Sequence, residues 1–67
     1  MVDTEKLKVL RCQKKFFRAA DFARALGMTP VNYWNREKGK VKFSANEVVR
    51  VCELLDISLE EGISILL

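Results

Sequence analysis

The sequence predicts an all-α fold, a compact five-helix bundle built by one domain over residues 1–67. Three observations predict it. Apolar residues recur at helical spacing in several separate stretches, most clearly Val48, Val51, Cys52 and Leu55 at i, i+3, i+4 and i+7. Two Ser-x-x-Glu sequences, Ser44 to Glu47 and Ser58 to Glu61, read as capping boxes, in which hydroxyl and carboxylate each satisfy a free backbone N–H. Helix breakers are scarce, one Pro and three Gly, and each marks an expected boundary.

The first helix is expected over about Thr4–Lys14, with Asp3 as its N-cap. Leu7 and Leu10 form its inward side. Of Phe16 and Phe17, which follow, Phe17 is expected to fill the core between the first two helices. The second helix covers about Arg18–Leu26 and lines up Ala19, Phe22, Ala23 and Leu26 on one face. Gly27 ends it, because the residue past a helix end often turns left-handed and Gly does so without a Cβ clash. The third opens at Thr29-Pro30, where the hydroxyl caps and Pro at the first helical position forfeits no hydrogen bond. It runs to about Lys38, stops at Gly39 and turns Tyr33 inward. The connection from Gly27 to Thr29 is short enough to force a steep crossing of the second and third helices, a helix-turn-helix arrangement. Lys40–Phe43 is a loop, with Phe43 as a staple on the fourth helix. The fifth starts at Leu59 and carries Ile63 and Leu66. Its ending, Ile63-Ser64-Ile65-Leu66-Leu67, either continues the helix or forms a short strand that needs a partner chain.

Charge is unevenly distributed. Residues 1–43 hold eleven Lys/Arg against four Asp/Glu, a net +7, whereas residues 44–67 hold one against five, a net −4. A basic front and an acidic back suit a polyanion on one side, and a solvated mixed-charge surface is the plainer alternative. Cys12 and Cys52 stand forty positions apart without a single His, so no zinc site is expected. Both are expected as small buried hydrophobes rather than disulfide halves. With no His, no Gly-rich phosphate loop and no carboxylate pair beside a nucleophile, neither catalysis, a cofactor nor a small-molecule ligand is expected. Residues 1–15 are charged and the longest apolar run is three residues, so neither a signal peptide nor a membrane span is expected, and the expected location is the cytoplasm. A core of this size supplies roughly 3–5 kcal/mol, so either the helices pack well or a second copy adds buried surface.

Taken together, Lys6–Glu61 resembles the helix-turn-helix proteins of the Cro and cI repressor type (the XRE family), small phage, prophage and bacterial regulators. Leu10-Arg11 is similar to the family's first-helix Leu-Arg pair. Asp21-Phe22-Ala23 with Leu26-Gly27-Met28-Thr29 resembles its acid-Leu-Ala-x-x-Leu-Gly-Val-Ser core. Tyr33 with Glu37-Lys38-Gly39-Lys40 resembles the Ile-x-x-x-Glu-x-Gly-Lys ending of its recognition helix, and Val48 to Ser58 resembles its fourth helix and the link beyond. Two positions depart from the pattern. Arg18 and Ala19 stand where the family often has Thr-Gln, and Arg36 stands where it has a buried aliphatic residue.

The resemblance implies a lambda-repressor-like fold and a Cro-like repressor that reads a major groove of double-stranded DNA with its third helix. Pro30, Val31, Asn32 and Asn35 match the base-facing places. Asn35 suits adenine through its amide, and Pro30 and Val31 read thymine methyls or shape alone. Lys14 and Arg18 on one flank and Lys38, Lys40 and Lys42 on the other are the expected phosphate contacts, the last three aligned as alternate residues of an extended loop. Arg36 reaches out along its stem to DNA or to Glu37. Trp34, about 100° round the helix from Tyr33, either lies on the sugar-phosphate backbone or joins the core. Leu59, Ile63, Ile65, Leu66 and Leu67 are expected to join two copies on a near-palindrome. A protein-interaction or antitoxin-like module on the same fold is the alternative, supported by the loss of the Gln at Ala19.

Overall fold

The computed structural model describes residues 2–67, which form five helices and no strand. These are α1 (Thr4–Gln13), α2 (Ala19–Ala25), α3 (Pro30–Glu37), α4 (Ala45–Leu55) and α5 (Leu59–Leu66). Helix α2 packs on α3, α4 on α5, and α1 closes against α5. The N-terminal segment is anchored there by the Asp3 N–H, which donates to the Ile65 carbonyl at 2.7 Å.

The helix starts follow the side chains expected to cap them. Asp3 Oδ1 accepts from the Lys6 N–H, Thr29 Oγ1 from Asn32, Ser44 Oγ from Glu47 and Ser58 Oγ from Glu61. The box at α4 is complete, because Glu47 Oε1 also accepts from the Ser44 N–H at 2.7 Å. The box at α5 is half made: Glu61 reaches Lys6 of α1 instead, at 3.9 Å. Among the described residues, no helix is long and apolar enough to cross a membrane.

The core comprises Leu7 of α1, Phe22, Ala23 and Leu26 around α2, Tyr33 of α3, Phe43, then Val48, Val51, Cys52 and Leu55 of α4, and Ile65 and Leu66 of α5. An aromatic chain crosses it edge to face: Phe16 to Phe22 at 5.1 Å, Phe22 to Tyr33 at 5.4 Å and Tyr33 to Phe43 at 6.4 Å between centroids.

Three expectations need correction, and one alternative is resolved. Phe16, not Phe17, fills the space between α1 and α2, and Phe17 is exposed. Lys15 turns left-handed after α1 (φ 67°), which lets the Phe16 N–H close on the Arg11 carbonyl and folds that ring back over the helix end. Cys12 is exposed on α1, and only Cys52 is a buried hydrophobe. Gly62 marks no boundary. It lies buried inside α5, where an added methyl group would overlap Cys52 Sγ, so α5 approaches α4 closely there. Residues 63–66 continue α5 as helix rather than strand.

Candidate nucleic-acid interface

Helix α3 is eight residues long and has two unlike sides. Its inward side carries Tyr33 and Glu37, four residues apart and both buried. Its outward side carries Val31, Trp34, Asn35 and Lys38, spaced i, i+3, i+4 and i+7. Val31 is 64 % exposed and Trp34 52 %, whereas Asn35 is half-buried. Lys38 folds back so that its Nζ lies 3.8 Å from the centroid of the Trp34 ring, a cation–π contact one helical turn long.

The turn that delivers α3 is set by backbone geometry. Gly27 takes φ +78°, its N–H donates to the Arg24 carbonyl and the Met28 N–H to Ala23, which ends α2. Arg50 of α4 adds a third tie, Nη1 donating to the Leu26 carbonyl at 3.0 Å.

Three further side-chain ties hold α3. Thr4 Oγ1 donates to the Glu37 carbonyl at 3.0 Å. Arg11 enters the core from α1, its Nη1 donating to the Phe16 carbonyl at 2.8 Å and its Nη2 lying 3.7 Å from Glu37 Oε1. Both charged groups are buried, and the Tyr33 hydroxyl donates to the same Glu37 oxygen at 3.3 Å. Burial first, and the Glu37 charge second, push the Tyr33 hydroxyl far above its ordinary value, so it remains a donor. From the other side, Arg36 Nε donates to Glu47 Oε1 at 2.9 Å, the oxygen that also caps α4. Burial pushes the Glu47 carboxyl up, but the Ser44 N–H and the Arg36 guanidinium outweigh it, and its pKa lies below the ordinary value.

These ties reassign several residues. Arg36 does not meet Glu37: partly exposed, it bridges Glu47 and the Asn32 carbonyl and works as a brace between α3 and α4. The expected extended loop is absent at 38–41, where the chain turns at Gly39 (φ +81°) and Lys40 and Val41 both donate to the Asn35 carbonyl. Lys38, Lys40 and Lys42 are therefore not aligned by strand alternation. Lys38 lies on Trp34, Lys40 is exposed in the turn, and Lys42 lines a cleft of about 310 Å³ with Val2, Val41, Leu66 and Leu67. Pro30 and Asn32 are exposed at the start of α3. Arg18 is the exposed N-cap residue of α2, and Lys14 lies 3.9 Å from the exposed Asp56, a contact water or a phosphate can replace.

Ile65 and Leu66 cannot form part of a surface contact, since both are 2 % exposed in the core beside Gly62. Gly62, Ile65 and Leu66 are buried, whereas Leu59 at the start of α5, Ile63 and Leu67 are about half exposed. The buried Arg11–Glu37 pair was not anticipated from the sequence. The signal for it was present: Arg11 stands at i+4 from Leu7, on the apolar side of α1. No protein-family model, curated protein or solved structure matches this chain.

Proposed function

We propose that this chain is a sequence-specific double-stranded DNA-binding regulator of the Cro repressor kind, a helix-turn-helix protein of the XRE type. Helix α3 lies in the major groove, with Asn35 reading a base edge and Val31, Asn32 and Pro30 beside it. Arg18, Lys14, Lys40 and Lys42 hold the flanking phosphates. Two copies meet through Leu59, Ile63 and Leu67 on a site with two-fold symmetry.

One observation carries this reading. The inward side and ends of α3 are braced by α1 and α4, yet Val31, Trp34 and Lys38 on its outward face are exposed, with Asn35 half-buried beside them, in the stretch 1–43 whose net charge is +7. A rigid exposed helix face within a basic surface matches groove recognition by a helix. Selection of bound duplexes from a random pool, followed by retardation assays at increasing salt, tests it. A recovered consensus and a steep loss of affinity with salt are expected.

The apolar character of Val31 and Trp34 favours a second reading, a protein-binding module. Such a contact persists as salt rises, and no duplex is retarded even in dilute buffer.

A further inference from the structure

We infer that the exposed Phe17 ring is a non-ionic contact to the nucleic-acid backbone, packing on deoxyribose between the phosphates that Lys14 and Arg18 hold. This rests on the DNA reading above and adds an apolar contact that a basic rim alone does not supply.

Phe17 is the most exposed large apolar residue among those described, at 69 %, and it does not pack against the core. A hydrophobic residue just before an N-cap often staples to the fourth residue of its helix. At α2 that fourth residue is Phe22, and Phe16 has taken the place, its ring centroid 5.1 Å from that of Phe22. The backbone on either side of Phe17 is held. The Arg11 carbonyl accepts from the Phe16 N–H at 2.9 Å, and the buried Arg11 guanidinium donates to the Phe16 carbonyl at 2.8 Å. On the other side, the Arg18 carbonyl accepts from the Asp21 and Phe22 N–H groups as α2 begins. The ring therefore projects from a short pinned segment, and a contact group positioned before binding costs less to order.

The charge around the ring names the partner. Residues 6–20 hold six Lys/Arg and no Asp/Glu, and Lys14, Lys15 and Arg18 beside Phe17 are exposed. Lys14 lies 3.9 Å from Asp56, which is itself exposed, so that pairing is weak. A second copy docked here about a two-fold axis would set three cations against three more, whereas a polyanion meets them with opposite charge. In a helix-turn-helix the first helix crosses the DNA backbone while the second lies in the groove, so the start of α2 meets sugar and phosphate. Phe17 immediately precedes Arg18, the N-cap residue of that start. Between phosphates the apolar part of the backbone is the deoxyribose, and a contact to it positions the protein without reading sequence.

Phe17→Ala, Phe17→Leu and Arg18→Gln, compared with the wild-type chain across a salt series, provide the test. Each is measured on a duplex recovered from a random pool and on a duplex of the same bases in scrambled order. Both Phe17 variants are expected to keep the wild-type urea midpoint. Phe17→Ala should lose roughly tenfold in affinity for both duplexes alike, the equivalent of part of a buried phenyl group, with the slope of log affinity against log salt unchanged. Phe17→Leu should recover much of that loss. Arg18→Gln should also bind more weakly, but with a slope shallower by about 0.9, the counterions of one phosphate. Phe17→Ala binding both duplexes as tightly as the wild type overturns the inference while leaving the DNA reading standing. A loss confined to the recovered duplex, or one that tracks flexible TA or CA steps, makes the ring a wedge between bases and overturns the sugar contact. A shallower salt slope or a lowered urea midpoint in Phe17→Ala assigns the ring to the cation rim or to the fold and overturns it too. Failure of the wild-type chain to bind any duplex overturns the DNA reading itself, and this inference with it.

Discussion

Arg11 carries a guanidinium into a core of Leu7, Phe22 and Tyr33, where Glu37 supplies the opposing charge and Arg11 Nε finds no partner among the described residues. At 3.7 Å, with both groups buried, the attraction does little more than offset the cost of removing two charges from water. Removing one partner is a different matter, because it strands the other. Glu37→Gln or Arg11→Met alone is expected to cost about 3–5 kcal/mol, close to the roughly 3–5 kcal/mol that a chain of this size has in total. Either variant should lose most of its helical circular dichroism at room temperature. The double variant Arg11→Met with Glu37→Gln should recover much of it in a urea titration, and additive losses would show that the two groups do not interact. Because Glu37 is also the residue whose carbonyl Thr4 holds, this pair fixes the end of the candidate recognition helix to α1. The two cysteines differ just as sharply. Cys52 is 6 % exposed, and burial, helped by Glu61, pushes its thiol up, whereas Cys12 lies open on α1. A thiol reagent should therefore modify Cys12 alone in the native protein and reach Cys52 only in denaturant, as peptide mass mapping would reveal.

Four of the five helices end by the same device, with a left-handed residue and then a donor that closes back onto the last turn: Lys15, Gly27, Gly39 and Asp56 take φ between 55° and 81°. Two of these positions are glycine and two are not, which makes the device testable. Lys15→Gly should raise stability by about 1 kcal/mol by removing the Cβ clash of a left-handed residue. Gly27→Ala should lower it by a similar amount, and more if the added Cβ, 3.3 Å from Arg50 Nη1, displaces that brace. Thermal melts resolve either change, since 1 kcal/mol moves the midpoint of a domain this small by roughly 4–8 °C. The same device explains what the sequence concealed. Glycines at 27 and 39 disclosed their turns, but Lys15 carries no such signature, and without that turn Phe16 and Phe17 are indistinguishable as core candidates. Helix starts were legible because Asp3, Thr29, Ser44 and Ser58 cap through their own side chains. The second partner of a capping carboxylate was not, since Arg36 lies eleven residues before Glu47 and only the tertiary fold brings them together. That junction gives α3 a pH dependence. With its folded pKa below the ordinary 4.5, Glu47 contributes stability that is complete above that value and lost as pH falls from it through the folded pKa. Urea midpoints should fall across that acid range in the wild type and fall less steeply in Glu47→Gln.

The described residues measure 25 × 24 × 20 Å between their Cα extremes, and under the proposed DNA reading that size limits what one copy can do. Half-sites read from one side of a duplex are about 34–36 Å apart, so a single copy reaches one of them and a two-fold site requires two. The surface available to join them was only partly legible in the sequence. The apolar richness of residues 59–67 suggested a contact, but composition could not separate the residues that finish the core from those left outside. Packing in the fold makes the division: Ile65 and Leu66 complete the monomer, while Leu59 and Ile63, four residues apart, stand 52 % and 45 % exposed. Ile63→Glu therefore leaves the core intact and places a charge in the proposed contact, beside Glu60 and in the acidic stretch 44–67. On a duplex carrying two half-sites, the wild-type protein should shift the DNA in one cooperative step. Ile63→Glu should shift it in two independent steps, while its affinity for an isolated half-site and its thermal midpoint remain unchanged. Cooperative binding that survives the substitution would place the contact elsewhere on the molecule. A fall in half-site affinity would mean that α5 supports α3 through the fold instead of joining two copies.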